Sequence, residues 1–160
     1  MKKPILTGGK TIMAKDDVGQ RVDQLFDAGY RCAESVLLIV AEKKKITSDL
    51  IPRLGTGFCA GISRTCGTCG AVTGAVMAIN LFYGRNDPSL PLPDSYPPIQ
   101  RFIKGFEEKF GSTNCLQLID CDLGTEEGRQ KFLDAGVVET CKDFTAEATR
   151  MALTIIDEKK

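Results

Sequence analysis

Cysteine is the residue type in this sequence that is best suited to carry chemistry. The chain has seven cysteines among 160 residues and no histidine. Without histidine there can be no Ser-His triad, Cys-His nucleophile pair, histidine-liganded zinc or protein-derived histidine for haem. A functional site must therefore be built from sulfur, carboxylates, hydroxyls, amines or the backbone.

Four of the cysteines lie near the predicted starts of different helices, and these are Cys32, Cys69, Cys115 and Cys141. At least three belong to the apolar stripe of their helix, and inward-facing residues of a helical bundle can converge on one site. A helix N-terminus also lowers the pKa of a thiol and favours thiolate, the form that binds metal. The pattern favours one shared site made of four thiols, although a free cysteine can also act as a small buried hydrophobe.

Cys66 and Cys69 form a C-x-x-C pair. No strand pattern precedes the pair, which argues against a thioredoxin-like fold. The same spacing serves zinc and iron–sulfur sites, because two nearby thiolates can chelate one ion or cluster. One alternative is a metal-free dithiol oxidoreductase in which Cys66 and Cys69 are catalytic and Cys69 is the attacking thiol of low pKa. Another is a structural or zinc-binding module.

The elements that must position these thiols have helical spacing nearly throughout. Apolar residues recur three and four positions apart, whereas alternation at period two is hard to find. The predicted fold is all-α, a single-domain helical bundle of about five to seven helices with a glycine- and cysteine-rich central loop. That loop covers residues 55–62, which are too rich in glycine for a stable helix.

Local signals refine this outline. Asp16 and Asp17 are candidate caps for the first helix, and residues 88–98 are a proline-rich connector that cannot continue a helix. Phe132 and Leu133 are predicted to face inward from a helix over residues 126–135. Gly70 and Gly74 leave one face of an apolar helix almost without side chains, so another helix or a cofactor can approach it closely.

Charge and hydropathy narrow the classes of partner. Lys plus Arg and Asp plus Glu number 21 each, so no net field attracts nucleic acid or an anionic membrane surface. The N-terminal apolar patch is too short for a signal peptide, and the longest apolar run, residues 71–82, is far below the roughly 18 residues of a membrane span. We expect a cytoplasmic protein, where a reducing environment favours metal-ligand, redox or buried thiols over structural disulfides.

The sequence resembles the C_GCAxxG_C_C family of redox-active proteins over roughly residues 25–150. The resemblance begins with Cys32 in the segment GYRCAESV and continues through Gly57, Phe58 and Gly61. It then includes the segment CGAVTGA, which begins at Cys69, followed by Cys115 after Phe110 and Gly111, and by Cys141 before the terminal helix.

The resemblance implies a redox or metal-bearing role, since related modules look like domains of multihaem cytochromes that carry an iron–sulfur centre. It implies an iron–sulfur cluster held by Cys32, Cys69, Cys115 and Cys141, with Cys66 as a further candidate ligand, and electron transfer with a redox partner protein. Cys59 and Cys121 are additional to the four.

We expect an N-terminal extension over residues 1–15, which could be flexible, and a helical cysteine-motif redox domain over residues 16–160.

Overall fold

A computed structural model describes residues 15–159, so the expected extension over residues 1–15 lies outside the described residues except for Lys15. The described chain has eight α-helices: α1 (Asp17–Asp27), α2 (Cys32–Lys44), α3 (Cys59–Arg64), α4 (Gly70–Tyr83), α5 (Tyr96–Phe110), α6 (Cys115–Ile119), α7 (Glu126–Asp134) and α8 (Val138–Asp157). Two 3-10 helices, Arg53–Phe58 and Leu92–Asp94, lie between them. The all-α prediction is confirmed.

Helices α2, α4 and α8 form the centre of the bundle. Their inward faces bury side chains such as Val36, Ile79 and Ala148, and α5 adds the fully buried Phe102 and Phe106. Helix α1 packs on α2 and α8 through a second apolar cluster. Its predicted stripe is confirmed, because Val18, Val22, Leu25 and Phe26 are all buried. Among the described residues, none of the helices is both long enough and apolar enough to cross a membrane.

The backbones of α2 and α4 touch at Gly74. A Cβ atom placed on Gly74 would lie 2.8 Å from the Ala33 Cα atom and 2.9 Å from its carbonyl oxygen. Both distances are shorter than van der Waals contact, so only a residue without a side chain allows the two helices to pack this closely. The close approach predicted for this glycine is therefore confirmed.

Side-chain caps and glycines fix several helix ends. Asp16 accepts a hydrogen bond from the Gly19 N–H at 2.9 Å, as predicted for the start of α1. Thr125 caps α7 in the same manner. Gly111 ends α5 with φ of +83°, in the left-handed region that favours glycine. Each cap satisfies a backbone group that a helix end leaves without an intrahelical partner.

Three local predictions need correction. The central loop is a 3-10 helix followed by α3, in which the backbone is left-handed from Ala60 to Ser63. The proline-rich connector ends earlier than expected, because Pro97 and Pro98 lie in the first turn of α5, where the missing N–H of proline costs nothing. Leu133 was predicted to face inward, but it is 70% exposed.

The Gly74 contact leads to a stability prediction. Gly74→Ala must push α2 and α4 apart, and overpacking of this kind costs about 3 kcal/mol. The better helix propensity of alanine offsets about 1 kcal/mol of this cost. We expect urea denaturation to show a net loss of about 2 kcal/mol in the free energy of unfolding. Gly57→Ala is the control, because a Cβ at this position meets only the Ser63 hydroxyl, at 3.9 Å. Equal stability of the two variants would contradict the proposed backbone contact.

The Asp16 cap leads to a prediction of pH dependence. The Arg150 guanidinium donates two hydrogen bonds to the Asp16 carboxylate, at 2.6 and 2.8 Å, and lowers the pKa of Asp16 from 3.8 to about 2. A lowered folded-state pKa stabilises the fold above pH 3.8, and this contribution disappears as the pH falls towards 2.

We therefore expect Asp16→Ala to lower the free energy of unfolding by about 1 kcal/mol at pH 7, through loss of the cap and of a partly exposed ion pair. The difference from the parent should shrink between pH 4 and pH 2 in chemical denaturation experiments. Asp49→Ala, in an exposed turn, is the control for removing a carboxylate. A stability difference that is independent of pH would argue against the ion pair.

Candidate functional site

One cavity brings together cysteines that are far apart in the sequence. It has a volume of about 230 Å³, and Cys32, Cys69, Cys115 and Cys141 all line it. Most of the remaining wall is apolar and includes Phe26, Ile119, Leu123, Phe132 and Val138. The four thiols therefore border a single space that is largely surrounded by hydrocarbon.

The starts of four helices present these thiols. Cys32 is the first residue of α2, Cys69 is the N-cap of α4, and Cys115 is the first residue of α6. Cys141 lies in the first turn of α8, where its carbonyl accepts a hydrogen bond from the Thr145 hydroxyl at 2.7 Å. Because backbone N–H groups at a helix start lack intrahelical partners, the positive ends of several helix dipoles converge on this cavity.

Backbone hydrogen bonds fix Cys69 relative to Cys115. The Cys69 N–H donates to the Thr113 carbonyl at 2.8 Å, and the Cys115 N–H donates to the Gly67 carbonyl at 2.9 Å. Between them, Asn114 donates its side-chain amide to the Cys66 carbonyl at 2.7 Å. Thr68 and Asn114 thus form an antiparallel β-bridge between two segments that are far apart in the sequence. This bridge determines the spacing of Cys69 and Cys115.

Two glycines make room for the sulfur atoms. A Cβ on Gly70 would lie 2.3 Å from the Cys32 sulfur, and a Cβ on Gly61 would lie 2.6 Å from the Cys115 Cβ. Any side chain at either position would occupy the space that a cavity cysteine now fills. Both glycines therefore belong to the site, although neither carries a reactive group.

The segment around Gly61 has an unusual backbone. Residues 60–64 all have positive φ, including Ala60, Ile62, Ser63 and Arg64, and Cys66 has φ of +58°. For residues with a side chain, the left-handed conformation costs roughly 1–2 kcal/mol each. Strain of this kind persists where the surrounding structure overdetermines it, often at functional sites. Ala60 lines the cavity, and the sequence contained no signal for this role.

Burial raises the pKa of three of the cavity thiols. Desolvation is the main cause, and it raises the pKa of Cys69 and of Cys115 to about 11 and that of Cys141 to about 12. Backbone N–H groups of Ala71 and Val72 partly oppose this effect at Cys69. The low pKa expected for Cys69 is therefore wrong, because the loss of water outweighs the helix N-terminus. A buried thiol of high pKa is a poor nucleophile for the first attack on an external disulfide, which weakens the alternative in which Cys69 is the attacking thiol.

The other three cysteines, Cys59, Cys66 and Cys121, do not line the cavity. Cys66 is half-buried and donates a hydrogen bond to the Asp122 carboxylate at 3.1 Å, and this interaction raises the pKa of Cys66. Cys121 is 2% exposed and belongs to the core. Cys59 is also buried, and its thiol donates to the Gly55 carbonyl at 3.6 Å. Across residues 15–159, no three thiols or carboxylates are grouped in a way that could hold a single metal ion.

The fold and the cavity define a class of protein, a helical bundle with several thiols around an apolar space. The chain belongs to the family described as "Putative redox-active protein (C_GCAxxG_C_C)", whose model matches residues 30–155. A protein of Archaeoglobus fulgidus named "Uncharacterized protein" is 27% identical over 152 residues, which cover 88% of this chain and 94% of the relative. No solved structure matches the chain. The family resemblance noted from the sequence is confirmed.

The contact between Gly61 and Cys115 can be tested by substitution. Gly61→Ala combines φ of +64° with a Cβ clash, whereas Gly136→Ala has φ of +62° and nothing within 4 Å. Both variants should lose about 1 kcal/mol for the left-handed alanine. Gly61→Ala should lose a further 1–3 kcal/mol, roughly, through overpacking against Cys115. Thermal and urea denaturation of the pair measure the difference, and equal losses would show that Cys115 can move away without cost.

Proposed function

We propose that this redox-active protein transfers electrons through an iron–sulfur cluster held by Cys32, Cys69, Cys115 and Cys141. One observation carries the proposal: four cysteines on four different helices line the same apolar cavity. Cysteines can be buried singly as small hydrophobes, and the convergence of four on one cavity is what favours a shared ligand set. The family's redox-active description supports the same conclusion.

The donor set fits a cluster of this kind. Four cysteine thiolates are the usual ligands of [2Fe–2S] and [4Fe–4S] clusters. The cavity, at about 230 Å³, is larger than the roughly 150 Å³ apolar cavity that accommodates benzene in an engineered protein. A zinc ion instead requires its thiolates to meet at about 2.3 Å from one point. Thiols that surround an open space favour a cluster of several atoms over a single ion.

The surrounding charges favour thiolate once metal is present. Cys69, Cys115 and Cys141 are protonated near pH 7 because burial raises the pKa of each thiol, so metal binding would have to release their protons. The N-terminal ends of α2, α4 and α8 would stabilise the negative charge of a thiolate-ligated cluster. The Arg31 side chain, which donates to the Tyr30 carbonyl at 2.9 Å, adds a positive charge at the cavity wall.

The chain's own contribution to electron transfer is to hold and shield the site. A bound cluster would accept and release one electron at a time. The apolar wall limits the access of water, and rigid helix starts keep the ligands in place when the charge changes. Leu133 lines the cavity while being 70% exposed, so the site lies close to the surface where a redox partner protein could dock.

The test is anaerobic reconstitution with ferrous iron and sulfide, followed by a visible spectrum and iron and sulfide analysis of the same sample. We expect charge-transfer absorption and bound iron in the parent. Cys69→Ser should lose most of both, because a serine oxygen is a poor ligand for this soft site. Cys32→Ser, Cys115→Ser and Cys141→Ser should behave in the same way.

Cys121→Ser is the matched control, since Cys121 is buried like Cys69 but is not part of the cavity wall as described. It should retain the spectrum and the iron of the parent. Circular dichroism of the metal-free variants separates loss of a ligand from loss of fold. A parent that takes up no iron, or a Cys69→Ser variant indistinguishable from the parent, would overturn the proposal. Tight binding of zinc alone would indicate the zinc alternative.

A further inference from the structure

Cys59 is a buried thiol that the proposed cluster does not use. It begins α3 directly after a 3-10 helix, and it is 8% exposed. Its sulfur faces the Cys32 thiol and the backbone N–H groups of Ala33 and Glu34. Two thiols from different parts of the chain therefore lie together at the N-terminus of α2, a helix of 13 residues.

Both cysteines approach Gly70, near the start of α4. A Cβ on Gly70 would lie 2.3 Å from the Cys32 sulfur and 3.2 Å from the Cys59 Cα atom. Because Gly70 has no side chain, the Cys32 sulfur and the Cys59 backbone both approach the position that a Cβ would fill. The proximity of Cys32 and Cys59 therefore depends on the absence of a side chain at Gly70.

The backbone next to Cys59 is also fixed against α2. A Cβ on Gly55 would lie 3.1 Å from the Glu34 nitrogen and 3.2 Å from the Ala33 carbonyl carbon. The 3-10 helix that precedes Cys59 therefore packs directly on the first turn of α2. This contact fixes the segment that leads into Cys59 against the start of α2, where Cys32 lies.

We propose that Cys32 and Cys59 form a reversible disulfide in the metal-free protein, and that this bond removes Cys32 from the cluster ligands. The regulatory consequence rests on the proposed function, whereas formation of the disulfide does not. Cys59 thereby has a role distinct from that of the four cavity ligands, and the pair is a redox-sensitive switch that controls whether the site can accept iron.

A small disulfide such as oxidised glutathione supplies the oxidising equivalents. Cys32 is the more accessible thiol, and as thiolate it attacks one sulfur of the oxidant, forming a mixed disulfide and releasing one thiolate. The Cys59 thiol, which lies beside the Cys32 sulfur, then gives its proton to the released thiolate and attacks that sulfur, which forms the protein disulfide and releases the second thiolate. The two protons lost by the protein thiols pass to the released thiolates. The protein thus loses two electrons and the external disulfide gains them.

Tryptic mapping distinguishes this bond from its competitors. Cys32 lies in the peptide of residues 32–43 and Cys59 in that of residues 54–64, whereas Cys66 and Cys69 share the peptide of residues 65–85. Metal-free protein is treated with oxidised glutathione, its free thiols are blocked with iodoacetamide, and the digest is analysed with and without reductant. We expect a crosslink between peptides 32–43 and 54–64 that disappears on reduction. A dominant Cys66–Cys69 bond, or a Cys59–Cys69 bond, would overturn the assignment.

Cys59→Ser and Cys121→Ser form a matched pair of buried variants. With Cys59→Ser we expect glutathione to remain attached to Cys32, because the resolving thiol is absent. With Cys121→Ser we expect the same crosslink as in the parent. Loss of the crosslink in Cys121→Ser would count against the assignment, as would a Cys59→Ser variant that carries no glutathione on Cys32. The crosslink map of the parent decides the matter if either variant fails to fold.

Iron uptake tests the consequence separately. Oxidised parent should bind iron about tenfold less tightly than reduced parent. Loss of a residue that only hydrogen-bonds to a metal ligand lowers metal affinity at least about tenfold, and loss of a ligand should lower it at least as much. Dithiothreitol should restore the uptake. Equal uptake by both forms, with the crosslink present, would overturn the switch. If reduced protein takes up no iron, the proposed function and the switch both fail, and the crosslink map still decides whether the disulfide exists.

Discussion

The close contact between α2 and α4 is the constraint on which the rest of the site depends. Gly70 and Gly74 bring the start of α4 against the first turn of α2, so that Cys32 lies within reach of Cys69 and its neighbours. A glycine inside a helix costs about 1 kcal/mol relative to alanine. The burial of Val36, Val72 and Ile79 in the surrounding core offsets this cost. Helix α8 then packs across the pair and supplies Cys141 to the cavity.

The second feature of the site is a conflict between burial and charge. An apolar wall keeps water away from the thiols, and the same wall raises the pKa of Cys69, Cys115 and Cys141. Without a cation the thiols remain protonated near pH 7. The helix N-termini around the cavity contribute partial positive charge, but they do not outweigh desolvation at Cys69. Metal binding would therefore exchange protons for iron in a cavity that the fold has already formed.

The sequence alone determined most of the secondary structure, outside residues 53–64, and the identity of the candidate ligands. The apolar stripe of α1, the Asp16 cap and the Gly111 stop depend on residues a few positions apart, so local patterns were sufficient to predict them. The close approach at Gly74 was also readable, because a glycine in an apolar helix requires a packing reason. The four cysteines at helix starts followed from the same patterns and from the family motif.

Only the tertiary structure decided the properties that depend on residues distant in the sequence. The raised pKa of Cys69 results from desolvation by the whole cavity wall, and the exposure of Leu133 results from the way α7 lies on the bundle. The left-handed backbone at residues 60–64 opposes the local preference of its residues, so no propensity could predict it. The proximity of Cys59 to Cys32 depends on the packing of the 3-10 helix against α2. The two cysteines are far apart in the sequence, and no local pattern predicts that they meet.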